Sequence, residues 1–178
     1  MLRTLSLSLL LFLSASSCLP ACAQVLSQSS SAATVLQPAQ LQSLIPATVY
    51  FSGQIAPVQI RNSAAVRSAA GKLTIFAMVD AGGYSSGVRE RYQFYVLTDT
   101  AIEVNGKRLP AGAYGGGFIN PAGFEVMDLG GNELFHTPTI HDAALKRPHP
   151  LEILEDSHAG EYRLYIGRDY VVFRQMHK

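Results

Sequence analysis

Apolar and polar residues alternate in short runs along most of this chain from residue 48 onward. Alternation with a period of two is typical of β-strands that bury one face and expose the other. The clearest runs cover residues 72–79 and 89–98, and a β-branched and aromatic run covers residues 48–51. Pro57 interrupts the next run, which indicates a bulge or an edge strand there. The pattern therefore predicts a chain built mainly from short strands.

Turn residues separate these runs at close intervals. Asn105-Gly106 lies between two short strand-like segments and is a strong hairpin signal, because both residues tolerate a positive φ. Residues 113–119 and 124–129 form a second candidate pair, and residues 162–166 and 170–173 form a third. Roughly seven to ten short strands with close turns predict an all-β fold, either an antiparallel sandwich or a partly closed barrel.

Helix signals are scarce. Residues 38–44 could form one or two helical turns, with Pro38 near the start and Pro46 past the end. Residues 141–147 carry the strongest signal, with Asp142 near the start and a proline directly after the segment. We therefore expect at most one or two short helices.

Residues 1–23 have the order of a secretory signal peptide. An arginine supplies the positive start, residues 5–13 the apolar run, and Ala21-Cys22-Ala23 the small residues of a cleavage site. The apolar run is too short to span a bilayer stably. The sequence therefore predicts an exported protein, periplasmic or secreted. It has a flexible polar tether with a possible short helix at residues 24–47 and a single β domain at residues 48–178.

Cleavage after Ala23 would remove both cysteines, Cys18 and Cys22. It would also remove one of the 14 Lys+Arg residues, so basic residues would then equal the 13 Asp+Glu residues in number. The mature domain is therefore expected to lack disulfides and to be held by its core alone. Its balanced charge gives no electrostatic basis for binding nucleic acid or an anionic membrane.

A second processing route would use Cys22. The residues Leu19-Pro20-Ala21-Cys22 resemble a lipobox, the pattern that marks a cysteine for lipid attachment. On this route the protein would be a lipoprotein anchored at Cys22. No later apolar run is long enough for a transmembrane helix.

The segment Gly83-Tyr84-Ser85-Ser86-Gly87 fits the G-x-S-x-G pattern of the nucleophile elbow in α/β-hydrolases. That elbow requires a strand before the serine and a helix after it. Here the alternating run of residues 89–98 follows. We therefore interpret the segment as a Gly/Ser loop between two strands and predict no catalytic residue in it.

Three residues could hold a metal ion, namely His136, His141 and Asp142. Two imidazoles and a carboxylate are ligands that zinc accepts, and this set would leave one position open for water. The histidines are five residues apart, which does not place them on one helical face, and Pro138 between them favours a loop. Surface histidines without a metal are therefore the other interpretation.

A cluster of glycines, with Gly112 followed by Gly115, Gly116 and Gly117, could suggest a phosphate-binding loop. Such a loop needs a helix directly after it, and residues 118–121 offer none. Glycines inside a strand instead mark a kink, a bulge or the close approach of another backbone. We favour this second interpretation.

Residues 102–114, with the sequence IEVNGKRLPAGAY, resemble a stretch found in uncharacterised secreted bacterial β-domain families. In those families a hairpin that ends in G-K-x-L-P-A-G-x-Y leads into a strand. In this chain Asn105-Gly106 supplies the first turn, Pro110-Ala111-Gly112 supplies the next, and Tyr114 restarts a strand. The resemblance implies an exported β-domain of unknown function and transfers no catalytic residue.

These patterns lead us to expect an exported, non-enzymatic β-domain without a cofactor. Its expected partner is another envelope protein, a glycan or a small apolar ligand. One alternative is a metal-binding protein or metal-dependent hydrolase that uses zinc at His136, His141 and Asp142. A second alternative is a lipid-anchored structural component of the cell envelope.

Overall fold

The computed structural model describes residues 33–119 and 123–176. The predicted signal peptide, its cleavage site and the lipid site at Cys22 lie outside these residues. The strands are β1 (Thr34–Leu36), β2 (Thr48–Phe51), β3 (Gln54–Arg67), β4 (Leu73–Val79), β5 (Phe94–Thr98), β6 (Ile102–Val104), β7 (Lys107–Leu109), β8 (Gly112–Ile119), β9 (Gly123–Met127), β10 (Glu133–Thr137), β11 (Ile140–His141), β12 (Glu152–Glu155), β13 (Glu161–Ile166) and β14 (Asp169–Gln175). The helices are α1 (Pro38–Leu41) and α2 (Ser86–Arg91).

The strands form two antiparallel sheets. The first has eight strands in the order β1-β3-β4-β5-β8-β9-β10, with β2 paired to β3. The second has six strands in the order β12-β13-β14-β6-β7, with β11 paired to β14. The described residues contain no closed barrel. The predicted all-β, sandwich-like fold with two short helices is therefore confirmed.

The main core lies between the two sheets. Phe76 of the first sheet and Phe173 of the second meet edge to face, with ring centroids 5.1 Å apart. The other buried residues of this core come from both sheets: Ala64, Val66, Phe94, Val96, Phe124 and Val126 on one side, and Ile102, Val104, Leu109, Leu151, Ile153, Tyr162, Leu164 and Val171 on the other. The period-2 alternation of the strands supplies these inward-facing positions.

The outer face of the first sheet is covered by the segment before β2. Strand β1 pairs with the end of β3, and Leu36, Leu41 and Ile45 pack on the outer side chains of β3 and β4. A flexible tether was predicted up to residue 47, and for the described part from residue 33 this is wrong. Three buried side chains hold this segment on the sheet although most residues between them are exposed, so the packed domain begins before Thr48. The predicted short helix after Gln37 is confirmed as α1.

The secondary structure of two segments differs from the prediction, and in each a side-chain contact accounts for the difference. The start of the run at residues 89–98 is helical, and α2 carries Arg91 to Glu125, where the Arg91 Nε atom lies 3.0 Å from the Glu125 Oε1 atom. His141 ends β11, and residues 142–147 form a turn and a bend rather than a helix, because the Asp142 carboxylate accepts hydrogen bonds from the backbone of Ala144 and Leu145. In the first segment the partner, Glu125, is distant in sequence. In the second, the Asp142 side chain competes for backbone amides that a helix would use.

A second core lies beside the first, under the β2–β3 hairpin. Phe51 stacks on Tyr92 with ring centroids 3.8 Å apart. The Tyr84 hydroxyl donates to the backbone oxygen of Phe51 at 3.0 Å, and the Gln54 backbone oxygen lies 3.1 Å from the same hydroxyl. The Tyr92 hydroxyl is buried and has no hydrogen-bond partner among the described residues.

Because the Tyr84 hydroxyl has hydrogen-bond partners and the Tyr92 hydroxyl has none among the described residues, removing each should affect stability differently. Tyr84→Phe removes a hydroxyl that holds the hairpin, so we expect the free energy of unfolding to fall by about 0.5–1.5 kcal/mol. Tyr92→Phe removes a buried hydroxyl that binds nothing, so we expect no loss or a small gain. Urea unfolding of both variants checks the prediction. Equal losses in the two variants would contradict it.

Neither helix of the described residues is long and apolar enough to cross a membrane.

Candidate functional site

A groove opens at the end of the sandwich where four chain segments meet. They are the β3–β4 turn, the β5–β6 connection, the β7–β8 turn and the end of β14. Its volume is 550 Å³, compared with 120, 240 and 310 Å³ for three other cavities of the described residues. We call it the turn groove. It is lined by Ser68, Ala70, Lys72, Asp99, Thr100, Ala101, Arg108, Pro110, Ala111 and Met176.

Local hydrogen bonds fix the β3–β4 side of the turn groove. The Ser68 backbone amide donates to the Lys72 oxygen at 2.8 Å, and the Lys72 amide donates to the Ser68 Oγ atom at 3.1 Å. Gly71 has a φ of 78°, which a glycine adopts without steric cost. The Asp99 carboxylate accepts from the Leu73 amide at 3.1 Å and so ties the β5–β6 connection to this turn.

A buried polar network lies next to the groove residues in sequence and joins the two sheets. Gln175 of β14 donates from its Nε2 atom to the Thr74 Oγ1 atom on β4 at 2.9 Å. Thr74 and Thr98 share a hydrogen bond between their Oγ1 atoms at 2.9 Å. The Thr100 Oγ1 atom donates to the Met176 backbone oxygen at 2.9 Å. Satisfied buried networks of this kind are rigid, and Thr100 and Met176 connect this one to the lining of the groove.

The walls combine small apolar side chains with a few charges. Ala70, Ala101, Ala111 and Met176 leave space between the turns, and Pro110 stiffens one of them. Small-molecule sites are typically concave and mostly apolar, with a small number of placed polar groups, and have volumes of about 300–1,000 Å³. The turn groove matches this description.

Two cations line the turn groove without an ion-pair partner. Neither Lys72 nor Arg108 lies within 4.0 Å of a carboxylate in the described ranges 33–119 and 123–176. Glu103 is the cross-strand neighbour of Arg108, but its carboxylate pairs with Arg174, whose Nη2 atom lies 3.0 Å from the Glu103 Oε1 atom. With Asp99 as the one acidic lining residue, the lining side chains carry a formal charge of +1.

Sequence reasoning missed the turn groove. Residues 102–114 were interpreted as a hairpin and a following turn, which the structure has as β6, β7 and the start of β8. Nothing in the local sequence indicates that Lys72, Asp99 and Met176 meet this turn. The available signal was the number of short turns, because alternate turns of an antiparallel sheet fall at the same end.

The residues predicted to bind a metal have separate partners in the structure. The His136 Nδ1 atom lies 2.8 Å from Glu133, and the His141 Nδ1 atom lies 2.7 Å from Asp169. Asp142 accepts from the Tyr165 hydroxyl at 3.0 Å, and this hydrogen bond lowers the pKa of its carboxyl. A zinc site at His136, His141 and Asp142 stays a prediction.

A different group of possible ligands lies at the β12–β13 turn. Asp156, His158 and Glu161 offer ligand atoms within 4.8 Å of one another. The Asp156 carboxylate is already engaged, because the Arg163 guanidinium pairs with it and the Ser157 hydroxyl donates to it at 2.9 Å. These contacts explain why the turn is ordered, and they occupy an oxygen that a metal would need.

The same contacts predict how stability depends on acid. The hydrogen bond from Arg163 holds the pKa of Asp156 well below its ordinary value of 3.8. The unfolded chain therefore takes up this proton first as the pH falls, and the stabilisation by Asp156, present above the ordinary pKa, is lost progressively below it. We expect the melting temperatures of the wild type and Asp156→Asn to differ at pH 7 and to converge below pH 3.8. Parallel curves between pH 7 and pH 2 would contradict this.

The G-x-S-x-G segment lies away from the turn groove, between β4 and α2. A helix does follow Ser85, contrary to the expectation of a strand. However, Ser85 has φ −58° and ψ 156°, which is ordinary backbone, whereas the nucleophile elbow holds its serine in a strained turn. The chain also lacks the parallel sheet of that fold within its described residues. Residues 83–85 form a loop as predicted, whereas Ser86 and Gly87 begin α2, and the absence of a catalytic role stays a prediction.

The chain matches no family model, no curated protein and no solved structure to which it was compared.

Proposed function

We propose that the mature chain is an exported, non-enzymatic module that binds a small, partly apolar ligand in the turn groove. The observation that carries the proposal is the cavity of 550 Å³ where three connections between strands and the end of β14 meet. A preformed, mostly apolar cavity is the usual setting for small-ligand binding. Export is supported by the signal-peptide pattern of residues 1–23.

The position of the groove, at the turns of a rigid β scaffold, supports the same proposal. Loops at the end of a sandwich tolerate variation, while the sheets hold them in place, so binding residues are often found there. In this chain the Thr98 hydroxyl also donates to the backbone oxygen of Thr100 at 2.7 Å, which connects the buried network to a residue that lines the groove. The rim residues themselves are small or exposed and are free to contact a ligand.

A thermal-shift screen of residues 24–178 tests the proposal. The probes are fatty acids, glycans, nucleotides and divalent metals with and without chelator. A ligand that binds only the native state raises the melting temperature in proportion to the logarithm of its concentration over its Kd. We expect a fatty acid to give such a shift.

Two tryptophan variants locate the binding site. Ala111→Trp places a large side chain in the turn groove and should abolish the shift. Ala144→Trp, at an exposed position of the β11–β12 loop at the opposite end, should retain it. An undiminished shift in Ala111→Trp, or no shift with any probe, would overturn the proposal.

A further inference from the structure

We infer that the ligand of the turn groove is an anionic single-chain amphiphile, whose carboxylate or phosphate group binds between Lys72 and Arg108. The inference rests on the proposed function and adds the chemical class of the ligand. Both cations line the groove and both lack an ion-pair partner among the described residues. A ligand anion would give each of them a charge-assisted hydrogen bond.

Most Lys and Arg side chains of the described residues have no ion-pair partner, so the lack of one does not by itself distinguish Lys72 and Arg108. Their position in the wall of the groove does. Arg91, Arg163 and Arg174 each contact a carboxylate, namely Glu125, Asp156 and Glu103. The cations of the turn groove have no such partner, although Asp99 lines the same groove. The Asp99 Oδ2 atom accepts from the Leu73 backbone amide instead, so its carboxylate serves the turn.

Two other exposed cations without an ion-pair partner lie nearby but outside the groove, and they serve as a comparison for Lys72 and Arg108. Arg67 at the end of β3 and Lys107 in β7 are also exposed and outside every ion pair of the described residues, but neither lines the groove. A surface cation by itself binds anions weakly because water and salt screen it. Lys72 and Arg108 differ because they border a cavity that can hold the rest of the ligand.

The walls select the apolar part of the ligand. Ala70, Ala101 and Ala111 carry only a methyl group each, and Met176 is unbranched and adapts its shape to what it contacts. None of these side chains can donate a hydrogen bond to a sugar ring. The hydroxyls of Ser68 and Thr100 also line the groove, but both already take part in hydrogen bonds within the chain. A flexible alkyl chain therefore fits these walls better than a glycan does.

Four ligands that share an octyl chain and differ in the head group measure how much the head group contributes to binding. They are octanoate, octyl phosphate, octanol and octylammonium, each titrated calorimetrically into residues 24–178 at about 0.05 M salt to limit screening. We expect octanoate or octyl phosphate to bind about tenfold more tightly than octanol, because each charge-assisted hydrogen bond strengthens binding. The tighter of the two anions identifies a carboxylate or a phosphate as the natural head group.

Two double variants, each with the same change in total charge, test the residues. In Lys72→Gln/Arg108→Gln, octanoate and octyl phosphate should bind no more tightly than octanol. Arg67→Gln/Lys107→Gln removes two nearby cations outside the groove and should keep the preference. All four positions are exposed, so both variants should fold, which an unchanged melting temperature confirms.

The possible outcomes distinguish failure of the anionic ligand class from failure of the proposed binding function. Equal affinity for octanol and both anions, or tighter binding of octylammonium, would overturn the anionic class and leave the turn groove as a binding site. A preference for the anions that persists in the Lys72/Arg108 variant would overturn the anionic class in the same way. No saturable binding of any octyl ligand would overturn the inference. A flat thermal-shift screen would overturn the proposed function as well.

Discussion

Replacing Phe94 with alanine should lower the free energy of unfolding by about 3–5 kcal/mol, which is the usual cost of removing a buried phenylalanine. Phe94 is fully buried at the centre of the main core. Its ring stacks on Phe124 at 5.6 Å between centroids and meets Phe76 and Phe118 edge to face at 6.2 and 6.3 Å. The variant loses all three aromatic contacts and leaves a cavity between the sheets.

A matched exposed position controls for the loss of an apolar side chain. Leu134 on the edge strand β10 is 47% exposed, so Leu134→Ala should change stability by no more than about 0.5 kcal/mol. Urea unfolding followed by circular dichroism measures both variants. Similar midpoints for Phe94→Ala and the wild type would show that the Phe94 ring is not packed among Phe76, Phe118 and Phe124.

Gly116→Ala should destabilise the protein by about 1–3 kcal/mol, although it adds a single methyl group. Gly116 lies in β8 between Phe94 of β5 and Val126 of β9. A Cβ atom here would lie 2.5 Å from the backbone oxygen of Glu125 and 2.9 Å from the Phe94 ring. The backbone oxygen has little room to move, because the Glu125 side chain is held by Arg91.

Gly87→Ala is the matched control for this change. Gly87 lies in α2, has no atom within 4 Å of the position of an added Cβ, and does not have a positive φ. Alanine is the better helix former by about 1 kcal/mol, so this variant should be as stable as the wild type or more so. If Gly116→Ala were equally well tolerated, the close approach of β8 and β9 would be wrong.

Sequence patterns predicted the strands because burial of one face leaves a period of two. The run at residues 73–79 is β4, and Asn105-Gly106 turns the β6–β7 hairpin, with a φ of 44° at Asn105. The glycines near residue 116 indicate a kink, a bulge or the close approach of another backbone, and the structure has a close approach at Gly116. The register shift in β3 follows Pro57, where a bulge or an edge strand was predicted.

Elements whose conformation depends on distant residues could not be predicted in this way. Arg91 is carried to Glu125 by a helix where the alternation indicated a strand. Leu41 is buried on the outer face of the first sheet, which becomes apparent only once β1 is known to pair with β3. The local sequence shows which side chains are apolar, whereas the conformation of α2 and the burial of Leu41 depend on contacts with distant residues.

The candidate site was the least predictable part for the same reason. Lys72, Asp99, Arg108 and Met176 belong to four segments that only the two-sheet topology brings together. The histidines attracted attention because they are close in sequence, yet His136 and His141 contact different carboxylates.

The central claim is that the ligand binds in the turn groove, and chemical-shift mapping tests it most directly. Residues 24–178 labelled with ¹⁵N are titrated with octanoate and with octyl phosphate. The account predicts saturable shifts confined to amides of the four groove segments, such as those of Ser68, Lys72, Ala101 and Ala111. Saturable shifts centred on the opposite end, around Ala144, or the absence of saturable shifts with both ligands, would contradict it.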